Sequence, residues 1–390
     1  MFLSILSCNY GGGHKRVAEA VAEEWSRQVG GRVEIVDYFA RFVHPVFDAI
    51  TKFSYIQSVR RFPAGYGLFY KLTGDIRPDS FVQRAINRMG LERLDRYLRA
   101  ERPDVVCCVH CTPAGTMSDL HLLGRTDVPC LTVITDYVTH SQWIHPAVDR
   151  YCVANPLVRD GLVARGIPAD RIAVSGLPIE RKFQRTLDRD AVAARLGLTP
   201  GVPVISVMAG AYAMLGGILD VASVLARFPR PIQTLVVCGY DRRLESQVRD
   251  RAAGSRHRFH VFGYVDNIEE LMTVSDLLIT KAGGVTVSEA LAKGLPMLIY
   301  RPIPGQEEGN SRFLVERGAA LAPRTPAALH DAVEDLLAHP ERLTAMHRAA
   351  AGLGRLDATS SVVTNLVSLA AGRPVSSTSE RQLAVPSPRS

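Results

Sequence analysis

The stretch Ile279-Thr-Lys-Ala-Gly-Gly-Val-Thr-Val-Ser-Glu-Ala-Leu-Ala-Lys-Gly-Leu-Pro-Met-Leu-Ile-Tyr-Arg-Pro-Ile-Pro-Gly-Gln-Glu-Glu-Gly-Asn310 decides the fold class. An apolar run, Asp276 to Ile279, reads as a buried strand, and the pattern breaks at Gly283-Gly284. A helical pattern follows through Lys293, with Gly294 as its stop signal. A second buried strand, Leu295 to Tyr300, ends in the turn Pro302-Ile-Pro-Gly305, and another helix opens at Gln306. Two strand ends therefore present a glycine pair and a polar Gln-Glu-Glu cluster beside helix N-termini. A parallel α/β sheet binds anionic ligands at such a place.

The same alternation runs outward in both directions. Phe2 to Ser7 predicts a first strand, Gly11-Gly12-Gly13 a turn, His14 to Val29 a helix, and Arg32 to Asp37 a second strand. Further βα units follow: a helix over about Phe81 to Arg99, strands at Val105 to His110 and Cys130 to Asp136, and a helix from Ala114 to Leu123 between them. A strand at Asp149 to Ala154, a helix from Pro156 to Arg165 and a strand at Ile172 to Ser175 end this half. A polar connection then leads to Val204–Met208, the first strand of a second half, followed by Gly210, by Leu235 to Cys238 ending at Gly239, and by Phe259 to Phe262 ending at Gly263. Helices near 326–337, 340–351 and 360–371 complete it. The expected fold is α/β, two doubly wound Rossmann-like domains facing across a cleft. The expected divisions are 1–178, a linker 179–200, 201–355, a C-terminal helix 356–372, and a Pro- and Ser-rich disordered tail 373–390.

Composition narrows the class. The chain has 390 residues, 47% hydrophobic, enough for two or three cores. No apolar run approaches the roughly 20 residues of a membrane span, and Met1 to Leu6 read as a strand, not a signal peptide. A net charge of +7 calls for an anionic partner without choosing one. Between Arg41 and Lys71, five basic residues stand against one acid, Asp48, among many aromatics broken by Pro45, Pro63, Gly65 and Gly67. Seven cysteines offer no disulfide framework. Cys107, Cys108 and Cys111 beside His110 fit small buried residues on a parallel strand better than a metal site, because no second Cys/His pair has the right spacing. Reduced thiols fit a cytoplasmic compartment.

Several residues stand where chemistry is done. Gly283 and Gly284 open a helix, so a diphosphate can approach free N–H groups; the dipole adds about 0.3 to 1 kcal/mol per favourable charge. An ordinary tight turn needs the same glycines. Glu289, one and a half turns on, can accept both hydroxyls of a ribose, or simply be a solvated face charge. Gln306, Glu307, Glu308 and Asn310 can recognise sugar hydroxyls or only cap their helix. Gly11-Gly12-Gly13-His14 is not a GxGxxG fingerprint, which argues against a dehydrogenase. His14 at a helix N-terminus is kept neutral by the dipole, as a proton acceptor must be. Asp136, in Thr135-Asp-Tyr-Val-Thr-His-Ser-Gln-Trp-Ile-His145, can orient His14 or act as base itself. His140 and His145 lack an obvious third ligand for a metal.

At these motifs the chain resembles the processive diacylglycerol glycosyltransferases and plant-type monogalactosyldiacylglycerol synthases. More distantly, it is similar to the N-acetylglucosaminyltransferase that makes lipid II. The resemblance spans about Met1 to Ala371 and is most specific at Gly11 to His14, Thr135 to Val153, and Gly283 to Asn310. It implies a GT-B fold, a UDP-sugar donor as co-substrate and inversion at the anomeric carbon; no Asp-x-Asp motif is placed to hold a divalent ion, so no tightly bound cofactor or catalytic metal is expected. Position by position, it implies that Gly263-Tyr264-Val265 hold uracil, that Gly283, Gly284 and Thr286 face the diphosphate, that Glu289 faces the ribose, and that Gln306 and Glu307 face the sugar. Gly12, Gly13, Gly210, Gly239, Lys281 and Asn310 complete the expected donor set. His14 matches the family's catalytic histidine, with Asp136 beside it. Ala282 departs from the proline many relatives carry there.

The implied function is transfer of a hexose, glucose for preference, from a UDP-sugar to the hydroxyl of a lipid acceptor such as 1,2-diacylglycerol, by an enzyme peripheral on the inner face of the cell membrane. Phe53, Arg60, Arg61, Tyr66, Phe69, Tyr70, Lys71 and Trp143 are the expected acceptor and anionic-membrane residues. Rival readings are a transferase for a soluble hydrophobic metabolite and a UDP-sugar epimerase of the same fold. A nucleic-acid partner is not expected, because the basic residues lie among buried-type aromatics.

Overall fold

A computed structural model describes residues 1–8, 12–43, 65, 88–210 and 217–372. Phe53, Arg60, Arg61, Tyr66, Phe69, Tyr70 and Lys71 lie outside the described residues, as does the tail from 373.

Runs such as Val204-Ile-Ser-Val-Met208 have no polar face and are buried on both sides. Strands of that kind belong in parallel sheets covered by helices. Two such sheets form. The first contains β1 (Phe2–Ser7), β2 (Arg32–Asp37), β3 (Val105–Cys108), β4 (Cys130–Val133), β5 (Arg150–Val153) and β6 (Ile172–Val174), in the order β2-β1-β3-β4-β5-β6. The second contains β7 (Val204–Met208), β8 (Gln233–Val237), β9 (Arg258–Phe262), β10 (Leu277–Thr280), β11 (Met297–Ile299) and β12 (Ala320–Leu321), in the order β12-β11-β10-β7-β8-β9. All the pairings are parallel. Each sheet reverses its winding once, between β1 and β3 and between β7 and β10. A doubly wound sheet opens its ligand crevice there.

Carboxylates pin the strand starts. Asp104 Oδ2 accepts from the Phe2 N–H at 2.6 Å, Asp149 Oδ2 from the Cys130 N–H at 2.8 Å, and Asp276 Oδ2 from the Val204 N–H at 2.8 Å. Strand ends fall short of the apolar runs where a side chain takes over the backbone. His110 leaves β3 to cap helix α3 (Cys111–Leu122), its Nδ1 accepting from the Thr112 N–H at 3.2 Å. The described part of the helix expected from Phe81 is α2, Leu91–Glu101, started by Gly90 at φ 86°. All seven cysteines are free and six are buried, as small core residues should be.

Helix α1 (Gly13–Gln28) buries Val17, Ala18, Val21 and Trp25. Helices α4 (Pro156–Val163) and α5 (Arg189–Arg195) follow, the latter capped by Asp188. The second sheet is flanked by α6 (Ile218–Ala226), α7 (Arg242–Ala252), α8 (Ile268–Val274), α9 (Gly284–Ala292), α10 (Gln306–Glu316), α11 (Pro326–Ala338) and α12 (Pro340–Leu353). The last helix, α13 (Ala358–Ala370), crosses back to pack on α1, β3 and β4. Thr359 fastens that crossing: its hydroxyl accepts from the Ile179 N–H at 3.1 Å and donates to the Ile179 carbonyl at 2.7 Å. No described helix is long and apolar enough to cross a membrane.

The two sheets meet through the loop after β4. The Thr135 carbonyl presses on Gly284, where an added Cβ would stand 2.1 Å from its oxygen. Val138 presses on Gly309, where a Cβ would stand 2.7 Å from its Cγ2. Between them, Tyr137 donates its N–H to Asn310 Oδ1 at 2.9 Å and meets Ser288 Oγ through its hydroxyl at 2.7 Å.

Gly284→Ala therefore forces the two halves apart and lowers the melting temperature, by about 1–3 kcal/mol in stability. At Gly352, near the end of α12, a Cβ meets nothing within 4 Å. Gly352→Ala should be neutral or stabilising by up to about 1 kcal/mol. Thermal melts of the two variants check the contrast.

Candidate functional site

The residues that follow β1 and those that follow β7, β8, β9 and β10 face one another across a cleft of about 120 Å³. Gly12 and Gly13 line it from the first half; Gly210, Gly239, Tyr264, Val265, Lys281, Gly283, Thr286 and Glu289 line it from the second. The two helix N-termini meet closely: a Cβ on Gly13 would touch Val285 Cγ2 at 3.6 Å. Neither α1 nor α9 has a side-chain cap. Their first N–H groups are thus left for a ligand.

The glycine pair divides its work. Gly283 leaves room for the Lys281 ammonium, which would sit 3.1 Å from a Cβ there. Gly284 is required by the Thr135 carbonyl, so domain docking accounts for this glycine as well as the cleft. Lys281 pairs closely with Glu307, and Glu307 also accepts from the Ile303 N–H at 2.9 Å. Gln306 donates to Asp136. Glu308 caps α10 through the Gly305 N–H at 3.0 Å. Asn310 is fully buried, with its amide donating to the Ala282 carbonyl at 3.0 Å and accepting from Tyr137. Asn310 was expected in the donor set. The structure makes it the staple between the β4 loop and the turn after β10.

His14 stands at the first switch point. Its Nδ1 lies 2.7 Å from the Val109 carbonyl, which can only accept. Nδ1 therefore carries the proton, and Nε2 keeps its lone pair. Burial depresses the imidazole to about 4 against the pull of that hydrogen bond, so it is neutral at pH 7. The His110 ring meets it edge-on at 4.9 Å. Asp136 does not orient His14. Its carboxylate turns to Gln306 and to Trp143, whose Nε1 donates at 3.4 Å. Burial pushes Asp136 up to about 6 despite those bonds. Trp143, expected on the acceptor or membrane side, is 5% exposed, with its indole against Asp136. His140 and His145 are also accounted for within the loop: His140 Nδ1 accepts from the Gln142 N–H at 3.3 Å, and His145 Nε2 donates to the Cys111 carbonyl at 3.1 Å. Among the described residues no group of three or more His, Cys, Asp and Glu side chains is placed to hold a metal.

Glu289 is 1% exposed. Its Oε1 meets Arg16 Nη1 at 3.3 Å, across the cleft from α1. Its Oε2 is buried and has no partner among the described residues. Burial raises its carboxyl to about 7, against the nearby Arg16 charge. Arg16 also lies near Tyr264, which stacks on Tyr240 at 4.4 Å and 7°. Gly263 is packed beneath them, 3.6 Å from the Gly239 carbonyl by its would-be Cβ. Arg16, Met208, Val237 and Ile268 line the cleft without having been singled out in the sequence. Arg16 left a signal: α1 begins Gly-His-Lys-Arg and has no acid in its first turn. Cations at a helix N-terminus run against the dipole, and such a local conflict marks a functional place.

Comparison with known proteins gives this cleft a family. Residues 14–179 match the family described as monogalactosyldiacylglycerol (MGDG) synthase, and residues 204–362 match the glycosyltransferase family 28 C-terminal domain. A processive diacylglycerol beta-glucosyltransferase of Bacillus licheniformis is 30% identical over 366 residues, 93% of this chain and 94% of its own. The chain belongs to this glycosyltransferase family. A second relative of the same name, from Bacillus cytotoxicus, is 32% identical over 92% of this chain and 91% of its own. Acinetobacter baumannii MurG superposes with a TM-score of 0.63 at 16% identity, covering 94% of this chain and 99% of that one. A UDP co-structure of S. aureus MnaA superposes with a TM-score of 0.65 at 14% identity, covering 94% and 96%. The fold is therefore GT-B, and the protein is a sugar-transferring enzyme.

The buried Glu289 carries a pH signature. Its native pKa lies above the ordinary carboxylate value, so between about 4.5 and 7 the folded protein holds a proton that the unfolded chain releases. Stability from this group is full at low pH and is lost as pH rises through about 7. Relative to wild type, Glu289→Gln should gain about 2 to 3 kcal/mol in stability between pH 5 and pH 8. Denaturant midpoints at the two pH values check it.

Proposed function

We propose that this enzyme moves glucose from UDP-glucose to the hydroxyl of a lipid acceptor, 1,2-diacylglycerol, with inversion at the anomeric carbon. The observation that carries the reading is the pairing of a neutral His14, with a lone pair on Nε2, and two uncapped helix N-termini in one cleft. Diacylglycerol beta-glucosyltransferases related along nearly the whole chain support the choice of donor and acceptor.

In this reading the acceptor oxygen attacks the anomeric carbon from the face opposite UDP. The new C–O bond forms as the bond to the β-phosphate oxygen breaks, and that electron pair leaves on UDP. His14 Nε2 takes the hydroxyl proton. Charge gathering on the diphosphate meets the α9 N-terminus around Gly283 and Thr286, with Lys281 beside it; preset donors of this kind need no reorganisation during the reaction. Glu289 accepts the ribose hydroxyls, and the Gly263–Val265 backbone reads uracil. Gln306 and Glu307, held by Asp136 and Lys281, offer their remaining lone pairs to the sugar. No step is routed through a metal. Asp136 positions Gln306 in place of serving as the base.

A donor-by-acceptor matrix tests the reading: UDP-glucose, UDP-galactose and UDP-N-acetylglucosamine against diacylglycerol and a polyprenyl lipid, with product masses read out. Glucosyl-diacylglycerol should dominate. Free sugar or epimerised nucleotide formed without lipid would contradict transfer to a lipid. In the productive pair, His14→Ala should lower kcat by about 10²- to 10⁴-fold. A variant that keeps near-normal turnover removes His14 from the base role.

The basic, aromatic segment from 39 to 72 is proposed to dock on anionic lipid as a peripheral contact. Flotation with vesicles containing anionic lipid should carry wild type upward and leave an Arg60→Ala/Arg61→Ala variant behind. Equal flotation of the two proteins would remove these arginines from membrane binding.

A further inference from the structure

Arg16 is a residue for which the reading above has no task. It reaches across the cleft from α1 to Glu289, which that reading reserves for ribose. The contact is a loose one for an ion pair: a single Nη1···Oε1 approach at 3.3 Å, with Glu289 Oε2 buried and unpartnered among the described residues. A bidentate arginine–carboxylate pair would use both oxygens. The carboxylate therefore has room for a second hydrogen-bond donor that the described residues do not supply. Arg16 also lies near Tyr264, which the nucleotide reading puts at the uracil end of the cleft. Its stem starts one turn above Gly12 and Gly13, beside the two helix N-termini.

We propose that Arg16 is a donor-exchanged cross-cleft residue. It occupies Glu289 while the cleft is empty, and on nucleotide binding it gives Glu289 to the ribose and turns its guanidinium to the diphosphate. The proposal rests on the nucleotide-donor reading and adds a ligand from the first half of the chain to it. A guanidinium matches phosphate oxygens with paired N–H donors, which the Lys281 ammonium cannot do in the same way. Lys281 is moreover already tied to Glu307. Donor binding would thus be read by both halves at once: the second half through the α9 N-terminus, the first through Arg16.

UDP and uridine, titrated calorimetrically into wild type and Arg16→Ala, separate the claims. Wild type should bind UDP more tightly than uridine. Arg16→Ala should lose at least about tenfold in UDP affinity. Its uridine affinity should stay level or improve, since Glu289 no longer has to be released. Arg16→Lys, which keeps the charge but not the fork, should recover part of the loss, and thermal melts of both variants report whether each is folded. Equal changes for UDP and uridine, no change, or tighter UDP binding would overturn the role of Arg16. Wild type that binds neither ligand would overturn the nucleotide reading itself.

Discussion

The contact on which everything else depends is the seating of Thr135 to Val138 against α9 and α10. Two glycines, Gly284 and Gly309, remove the Cβ atoms that would block it. Asn310 and Ser288 then hold Tyr137 by its backbone and its hydroxyl. Burial pushes the Tyr137 phenol up to about 12, so it stays a neutral donor throughout the physiological range. The seating puts the β4 loop, with Asp136 and Trp143, against the start of α10. It also brings the N-terminus of α1 up to the N-terminus of α9. One apolar cluster runs through both halves as a result, from Leu3 and Val17 to Val285 and Leu291. The cleft is what remains beside that contact, and its shape is fixed by it.

The electrostatics of the cleft follow from the same geometry. Two helix N-termini, Lys281 and Arg16 supply positive potential; Glu289 and Glu307 are buried beside them and each is shared with a cation. Buried carboxylates of this kind are costly unless paired. Glu289 is the less well satisfied, and its raised pKa expresses that. A ligand that donates to the unpartnered Glu289 oxygen would relieve that cost.

Much of this was legible in the sequence, and the reason is periodicity. Parallel strands buried on both faces read as continuous apolar runs, and Val204–Met208 or Phe2–Ser7 can be nothing else. Glycines at strand ends located the switch-point turns. What stayed hidden was weakly patterned or depended on long-range partners. Helix α7 is polar except at Leu244, Val248 and the terminal Ala252. The edge strand β12 is two residues long. Gly12, Gly283 and Glu289 stood out from their local setting, and all three line the cleft. The place of Asn310 depends on Tyr137, 173 positions away, and that of Arg16 on Glu289, 273 away. Such roles are set by docking, which no local pattern encodes. The inward turn of the Trp143 indole toward Asp136 likewise left no local pattern.

The central claim is that the cleft between the two sheets is the nucleotide-donor site, with Glu289 at the ribose. A crystal structure with UDP tests it most directly. The account predicts the diphosphate at the N-terminus of α9 and both Glu289 oxygens on the ribose hydroxyls. UDP bound elsewhere, or bound in the cleft with its ribose away from Glu289, would contradict it.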